Sequence, residues 1–229
     1  FRRAHEQGVS VILYPLINPS GFDQRTRYNH LNQTSNNDFM RYRVGNKLVG
    51  DLGNCAESYP WIWSDEPEAQ KEPDKILPLE TRFLIKDIKQ LQWKNIVGFL
   101  DFHQDLFFDT NSGLFTYAYY MGDVNLYRPI MDKAKNIVAL LTNTDIEEGF
   151  GVEINPTGEL KSQAINSTTP KTDEHGLILR YDGSITDLAH KLGVPFSAAI
   201  ETTAFIPLPI VYKLNLLWVN GCIDYAKRF

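Results

Sequence analysis

The sequence has few of the features that mark disulfide-rich, nucleic-acid-binding or membrane-spanning proteins. Its 229 residues include two cysteines, Cys55 and Cys222, too few for a disulfide framework, and we expect both to be free buried thiols. The net charge is −5 and no basic stripe runs along the chain, which argues against a nucleic-acid partner. No apolar run reaches the roughly 18 residues that a membrane span needs, so no membrane partner is expected either.

Strand-like and helix-like segments alternate along the chain. Residues 9–17 (VSVILYPLI) and 95–102 (NIVGFLDF) are continuous apolar runs, which is typical of strands buried on both faces. Residues 79–91 and 125–141 carry apolar side chains at helical spacing. The order predicts an α/β fold with a mostly parallel mixed central sheet and helices on both faces. Further strands are expected at 114–121, 177–181 and 196–200, and further helices from Ser184 and from near Pro209.

The length suits a single domain spanning residues 1–229. Between the first run and residue 78 lies a long polar segment with Trp61 and Trp63 in its middle, and a loop of that length is usually functional. The opening residues, FRRAHEQ, look like the last turn of a helix. We therefore expect the N-terminal segment of the domain to be missing.

Polar residues follow three of the predicted strands. Asn18 ends the first run, His103 the second, and Glu201 follows residues 196–200. In open α/β sheets ligands bind beyond the carboxyl ends of the strands, so these residues mark the candidate site. A histidine and a glutamate placed there suggest a metal ligand and a general base for water attack. Taken singly, His103 also fits a hydrogen-bonded core histidine, and Glu201 fits a capping or ion-paired acid.

Several short motifs strengthen the metal interpretation because they occur together in a fixed order and span nearly the whole chain. They are Asn18-Pro19-Ser20-Gly21, then Arg27, then Thr34-Ser35-Asn36-Asn37-Asp38-Phe39, then Glu80-Thr81, then FLDFHQ with His103, then Gly183-Ser184-Ile185-Thr186-Asp187, and finally SAAIET with Glu201. In order and spacing the set resembles the zinc carboxypeptidase family and its succinylglutamate desuccinylase-like deacylase relatives.

The resemblance implies a role for each matching residue. His103 corresponds to a zinc ligand, Arg27 to a residue that holds the substrate carbonyl, Asn36 to a substrate contact, and Glu201 to the base that activates water. The chemistry is consistent, because zinc lowers the pKa of a bound water to about 7 and a neighbouring carboxylate can then take its proton. An arginine beside the carbonyl would stabilise the oxyanion as the carbon becomes tetrahedral.

The chain departs from the family pattern at the metal. The family's other two zinc ligands lie in a His-x-x-Glu motif upstream of the first strand, and no histidine of this chain has a glutamate three positions later. One histidine cannot hold a catalytic zinc, which needs about three protein ligands. Two explanations are open: the missing N-terminal segment carries the motif, or the protein is a relative that has lost its metal.

The substrate side of the pattern also differs. The arginine that clamps a terminal carboxylate in carboxypeptidases falls at Asn37, and a neutral amide cannot replace a bidentate guanidinium. Arg41 or Arg43 lies near in sequence and is a candidate substitute. The family's mobile tyrosine falls at residues 177–179, which are Leu-Ile-Leu. If neither arginine substitutes, the preference for a free C-terminal carboxylate should be weak. These changes favour a deacylase or a peptidase with unusual specificity.

The leading hypothesis from the sequence is a zinc-dependent hydrolase of peptide or amide bonds, with a peptide substrate. The alternatives are an N-acyl amino acid deacylase on the same scaffold and a catalytically inactive relative that binds ligands in the old cleft. The compartment is left open by the sequence.

Overall fold

The computed structural model describes residues 2–24, 26, 28–33, 39–49, 55, 57–71, 77–105, 114–144, 171–203 and 205–228. Within these ranges α-helices and strands are interspersed along the chain, with up to three consecutive strands before the next α-helix. The helices are α1 (Arg2–Glu6), α2 (Pro19–Gln24), α3 (Leu79–Ile88), α4 (Arg128–Ala134), α5 (Ile185–Lys191) and α6 (Leu208–Ala226).

The strands belong to two sheets. A small antiparallel sheet has the order β2-β1-β3, and the main sheet has the order β4-β8-β5-β6, with β7 also paired to β5. The strands are β1 (Met40–Val44), β2 (Lys47–Val49), β3 (Trp61–Trp63), β4 (Gly98–Asp105), β5 (Phe115–Met121), β6 (Ala139–Leu140), β7 (Leu177–Leu179) and β8 (Phe196–Thr203).

The main sheet is mixed and mostly parallel. Strand β8 is its centre, parallel to β4 on one side and antiparallel to β5 on the other, and β5 pairs in parallel with β6 and β7. Strand β8 is almost entirely buried, which fits its run of small and β-branched apolar residues. This arrangement confirms the predicted fold class.

Helices cover both faces of the main sheet. On one face, Ala198 and Ile200 of β8 pack in a core with Met131 of α4 and with Leu214 and Trp218 of α6. The other face of the sheet contributes to two separate apolar clusters. Near the start of β4 and the end of β5 it packs against α3 and α5, and the rest of this face carries a second cluster. The members of that cluster are Phe115, Tyr117, Tyr119, Leu141, Ile178 and Ala199.

The small sheet is tied to the start of α5 by buried hydrogen bonds. The Tyr42 hydroxyl lies 2.8 and 2.7 Å from the two carboxylate oxygens of Asp187, and the Gly183 amide donates to Asp187 Oδ2 at 2.8 Å. Ser184 caps α5 by accepting from the Asp187 amide. These bonds connect β1 to the main body of the fold.

The apolar run at residues 9–17 is not a strand, contrary to the prediction. Its large side chains are well exposed, Ile12 and Leu13 at 58% each, and no strand among the described ranges pairs with it. Tyr14 and Ile17 nevertheless pack against the core beside α3, and the Tyr14 hydroxyl donates to Asp87. Apolar composition alone does not make a strand, because the backbone also needs a neighbouring ladder to complete its hydrogen bonds.

Two further predictions need correction. The long polar segment after the first run is not simply a loop, because it contains the small sheet with Trp61 and Trp63 on β3. The helix expected over residues 125–141 is only Arg128–Ala134, and residues 139–140 instead pair with β5 as β6. Tertiary pairing at the sheet edge has overridden the helical spacing there.

The structure also describes both cysteines and the apolarity of the helices. Cys55 and Cys222 are both free, Cys55 fully buried and Cys222 partly so. Across the described ranges, the structure contains no helix with the length and apolarity to cross a bilayer.

Candidate functional site

His103 and Glu201 face each other across neighbouring strands. They are register partners in the parallel pairing of β4 with β8. Register partners on adjacent strands have their Cα atoms about 5 Å apart and project from the same face of the sheet. Both residues are partly exposed. The pairing expected from the fold is therefore present, and it is held by two strands of the main sheet.

Hydrogen bonds from threonine side chains reinforce the backbone at both positions. Thr116 Oγ1 on β5 donates to the Glu201 carbonyl at 2.7 Å, and Thr202 Oγ1 on β8 donates to the His103 carbonyl at 3.1 Å. These bonds cross between strands and supplement the regular ladder. Residues placed on strands restrained in this way are held more accurately than residues on loops.

A carboxylate lies beside the histidine. Asp101 Oδ2 is 2.9 Å from His103 Nε2, with 25% of the histidine and 20% of the aspartate side chain exposed. Asp101 and His103 are two residues apart on β4, so they share a face by the period of a strand. An ionised carboxylate only accepts hydrogen bonds, and hence the histidine donates from Nε2.

Aromatic side chains continue this face of the sheet beyond Glu201. Tyr117 is the register partner of Glu201 on β5, and Tyr119 is the partner of Ala199. The two rings meet edge to face with centroids 5.6 Å apart. Both tyrosines are buried, and they form an apolar floor on the side of Glu201 away from His103. Such a floor lowers the local dielectric and strengthens interactions of the neighbouring charges.

A buried arginine lies against the same floor, but its charge is already balanced. The Arg180 guanidinium stacks over the Tyr119 ring at 5.0 Å, and its Nε is 2.8 Å from Asp182 Oδ2. Arg180 and Asp182 are both buried. The pair fixes the end of β7 against β5.

The substrate residues predicted from sequence are not gathered at this pair. Arg41 lies on β1 of the small sheet, is 2% exposed, and donates from a guanidinium nitrogen to the Ala69 carbonyl at 2.8 Å. Arg43 forms two bonds to Glu68 at the surface, at 2.6 and 2.5 Å. Among the described residues no strand pairing joins this sheet to β4 or β8. Arg27, Asn36 and Asn37 lie outside the described residues, and their roles stay predictions.

The donor atoms present fit part of a metal site. A neutral His103 ring that donates from Nε2 to Asp101 would carry its lone pair on Nδ1, the atom through which it would bind a metal. In the ranges that the structure describes, no group of three or more His, Cys, Asp and Glu side chains is placed to hold a metal ion. Of the predicted site residues, His103 is the candidate metal ligand, and the described residues around it do not complete a metal site.

Sequence reasoning missed two residues of this site. Asp101 could have been found, because a strand places residues at positions i and i+2 on one face and FLDFHQ carries an acid two residues before the histidine. Tyr117 could not, because its place opposite Glu201 depends on the antiparallel register of β5 with β8, and that strand order is not encoded locally.

The chain matches no protein-family model and no curated protein. The solved structures to which it is similar include three, each of a putative metallopeptidase from a Shewanella species. The S. amazonensis protein gives a TM-score of 0.57 at 18% identity, covering 92% of this chain and 61% of that one. The S. baltica protein gives 0.58 at 15% identity, covering 92% and 61%.

The third, from S. denitrificans, gives a TM-score of 0.59 at 16% identity, covering 95% of this chain and 62% of that one. The chain thus spans about three fifths of the length of the structures it matches. At these identities the similarity concerns the fold alone. The chain has a metallopeptidase-like α/β fold.

Proposed function

We propose that the full-length protein is a zinc-dependent hydrolase of peptide or amide bonds, with the reaction centred on His103 and Glu201. The observation that carries the proposal is the register pairing of these two residues on β4 and β8, on a fold similar to that of metallopeptidases. The pairing puts an imidazole and a carboxylate on one face, within reach of a single bound water.

His103 would hold the metal through Nδ1, while Asp101 accepts from Nε2. Zinc, when bound, polarises the substrate carbonyl and acidifies the attacking water. Because a catalytic zinc needs about three protein ligands, the proposal places the other ligands in parts of the full-length protein outside the described residues.

Glu201 would act as the base and then as the acid. Its carboxylate takes one proton from the water as the oxygen bonds to the carbonyl carbon, and it then delivers that proton to the leaving nitrogen as the carbon–nitrogen bond breaks. Arg27, by resemblance, would donate to the oxygen that becomes negative, and Asn36 would contact the substrate. The tyrosine floor at Tyr117 would exclude water from one side of the carboxylate.

The test compares hydrolysis of N-blocked peptides by full-length wild type, Glu201→Gln and Glu174→Gln. Glu174 is a suitable control because 72% of its side chain is exposed and it lies near His175, in another region of the chain. We expect Glu201→Gln to lower kcat by about 10²–10⁴-fold, the range for loss of a general base, and Glu174→Gln to leave it unchanged. A Glu201→Gln variant with the wild-type rate would exclude this mechanism.

A second candidate is an N-acyl amino acid deacylase on the same scaffold. Asn37 favours it, since the position that would clamp a terminal carboxylate carries a neutral amide. Both functions use Glu201 in the same way, so product analysis separates them. Release of C-terminal residues from peptides supports the peptidase, and release of an acyl group from a small N-acyl amino acid supports the deacylase. Absence of both activities in a metal-free full-length protein would favour an inactive binding relative.

A further inference from the structure

The longest described helix carries a row of apolar side chains on its outer surface. Helix α6 packs on the main sheet through Leu214 and Trp218, which are fully buried. On its outer side Leu208, Tyr212 and Leu216 are exposed, at 56%, 61% and 60%. These three residues, which form the α6 row, are four positions apart, so they follow one another along one side of the helix over about 12 Å.

The other described helices expose less apolar surface than α6. The α6 row has three large exposed apolar side chains, whereas α3 has two, Leu79 and Phe83, and α2 has one, Phe22. Phe205, which precedes α6 in the chain, is 68% exposed and adds to the apolar surface at the start of the row. Exposed apolar side chains that stand alone are ordinary, but a contiguous set marks an interaction surface.

The size of this surface suits the centre of a protein–protein interface. The α6 row and Phe205 together expose roughly 400 Å² of apolar side chain, given about 200 Å² for a whole aromatic side chain. An interface of standard size buries about 800 Å² on each partner, with an apolar core inside a polar rim. The row and Phe205 would supply about half of that area. Lys213, Asn215 and Asn220 flank the row, are exposed or partly exposed, and would supply part of the rim.

The charge of this surface argues for a second copy of the chain as its partner. Lys213 is the only charged side chain between residues 205 and 223. Partners of different sequence are commonly aligned by complementary charges, and this surface has almost none to offer. For the same reason it has little attraction for nucleic acid or for an anionic membrane surface. Two identical uncharged surfaces can meet without complementary charges.

The order of residue types in the α6 row also fits a symmetric pair. Read in either direction, the row is leucine, tyrosine, leucine at a spacing of four. In an antiparallel pair of α6 helices with a two-fold axis at Tyr212, each Tyr212 meets its copy, and Leu208 meets Leu216 of the partner subunit. A row of side chains four residues apart is a ridge of the kind that packs against a second helix.

We propose that the α6 row is the core of a homodimer interface, in which two α6 helices pack antiparallel about a two-fold axis at Tyr212. The interface lies behind the main sheet, because α6 packs on the face that carries Ala198 and Ile200, whereas Glu201 projects from the other face. Both candidate sites of the dimer therefore stay open, and the inference does not depend on the proposed function.

The first measurement is the mass of the full-length protein by sedimentation equilibrium at a series of concentrations. We expect a monomer–dimer equilibrium in wild type. The dissociation constant should be at least about 30-fold higher in Tyr212→Asp and in Leu216→Asp, as for loss of a central contact. Phe83→Asp is the matched control, because that side chain is 65% exposed on α3, and it should leave the dissociation constant unchanged.

The second measurement tests the antiparallel geometry with single cysteines. Helix axes 8–10 Å apart would bring the two Cα atoms at position 212 to about 4–6 Å, within the range of a disulfide. Tyr212→Cys should therefore link to its own copy when an added oxidant takes the two thiol hydrogens. Wild type gives the background, since Cys55 is buried and Cys222 partly so.

Two further cysteine variants fix the direction of the helices. Leu208→Cys alone should not link, because its copy would lie about 12 Å away along the helix. A mixture of Leu208→Cys with Leu216→Cys should form the mixed disulfide. The cysteine variants keep the test valid if an aspartate variant fails to fold.

Four results would overturn the inference. A wild type that is monomeric throughout the concentration series would remove the dimer. A dimer weakened by Phe83→Asp and not by the two α6 variants would place the interface elsewhere. A Leu208→Cys link to its own copy as strong as that of Tyr212→Cys would exclude the two-fold axis at Tyr212. A Tyr212→Cys thiol that resists alkylation in a monomer would mean that another part of the full-length protein covers the row.

Discussion

Glu201 lies between His103 and Tyr117, as the register partner of both, in the centre of the main sheet. Its carboxylate therefore has a candidate metal ligand on one side and a buried aromatic ring on the other. This arrangement is produced by two different pairings, parallel to β4 and antiparallel to β5, so a slip in either register would separate the three side chains.

The buried carboxyl of Asp187, which joins the small sheet to α5, should make the free energy of unfolding depend on pH. Burial raises the pKa of Asp187 from 3.8 to about 7, chiefly through loss of solvation and secondarily through the neighbouring Asp182, while bonds from Tyr42 and Gly183 and the charge of Lys191 oppose the rise. The folded protein thus holds this proton more tightly than the unfolded chain. The stabilisation is present below about pH 4 and is lost as the pH rises through about 7.

The Asp187→Asn variant has no carboxyl to titrate at this position, so its free energy of unfolding should not show the decrease expected of wild type between pH 4 and 8. Relative to wild type, the variant should become more stable as the pH rises. Urea denaturation at a series of pH values measures the difference, which should reach on the order of a few kcal/mol. Glu174→Gln, at an exposed site, should give a curve parallel to wild type. A parallel curve for Asp187→Asn as well would show that the buried carboxyl does not titrate in this range.

The Tyr127 hydroxyl forms hydrogen bonds with the backbones of β5 and of β8, the strand that carries Glu201. It accepts from the Ser197 amide at 2.9 Å and donates to the Met121 carbonyl at 2.9 Å. Tyr127→Phe leaves this amide and carbonyl buried without the hydroxyl, which should cost about 1–3 kcal/mol in the free energy of unfolding. Tyr212→Phe is the matched control, because that side chain is 61% exposed. Equal stability of the two variants would contradict this role for the Tyr127 hydroxyl.

Close packing of α6 on β4 requires a glycine at position 98. A Cβ added to Gly98 would lie 2.1 Å from Cys222 Sγ, with no other side chain nearer than the Cβ of Cys222 at 3.8 Å. Gly98→Ala should therefore destabilise the protein by about 1–3 kcal/mol through overpacking. The double variant with Cys222→Ala should recover most of that loss, and thermal unfolding of the four proteins in the cycle gives the coupling. Additive losses of stability would show that the alanine side chain at position 98 does not clash with Cys222.

The sequence was sufficient to predict that His103 and Glu201 lie side by side, but not what surrounds them. Strands leading into His103 and Glu201 could be read from continuous apolar runs, and the α/β alternation placed the two residues at one edge of the sheet. Both strands continue beyond these residues, to Asp105 and Thr203. The parallel pairing confirms that step. Tyr117 was missed because the register of β5 is a tertiary property.

The failed predictions share a physical cause. Residues 9–17 were expected to form a strand because they are apolar, and residues 139–140 were expected to be helical because of their spacing. Whether such a segment forms a strand depends on an available neighbouring edge, which β5 provides to residues 139–140 and which no described strand provides to residues 9–17. Local sequence does not encode that choice.

The zinc content of the purified full-length protein, measured by mass spectrometry alongside His103→Ala and Glu201→Gln, tests the central claim most directly. The account predicts bound zinc in wild type and in Glu201→Gln, because the base is not a ligand, and a large loss in His103→Ala. Zinc absent from the wild type, or retained in full by His103→Ala, would contradict the assignment of His103 and Glu201 as metal ligand and base.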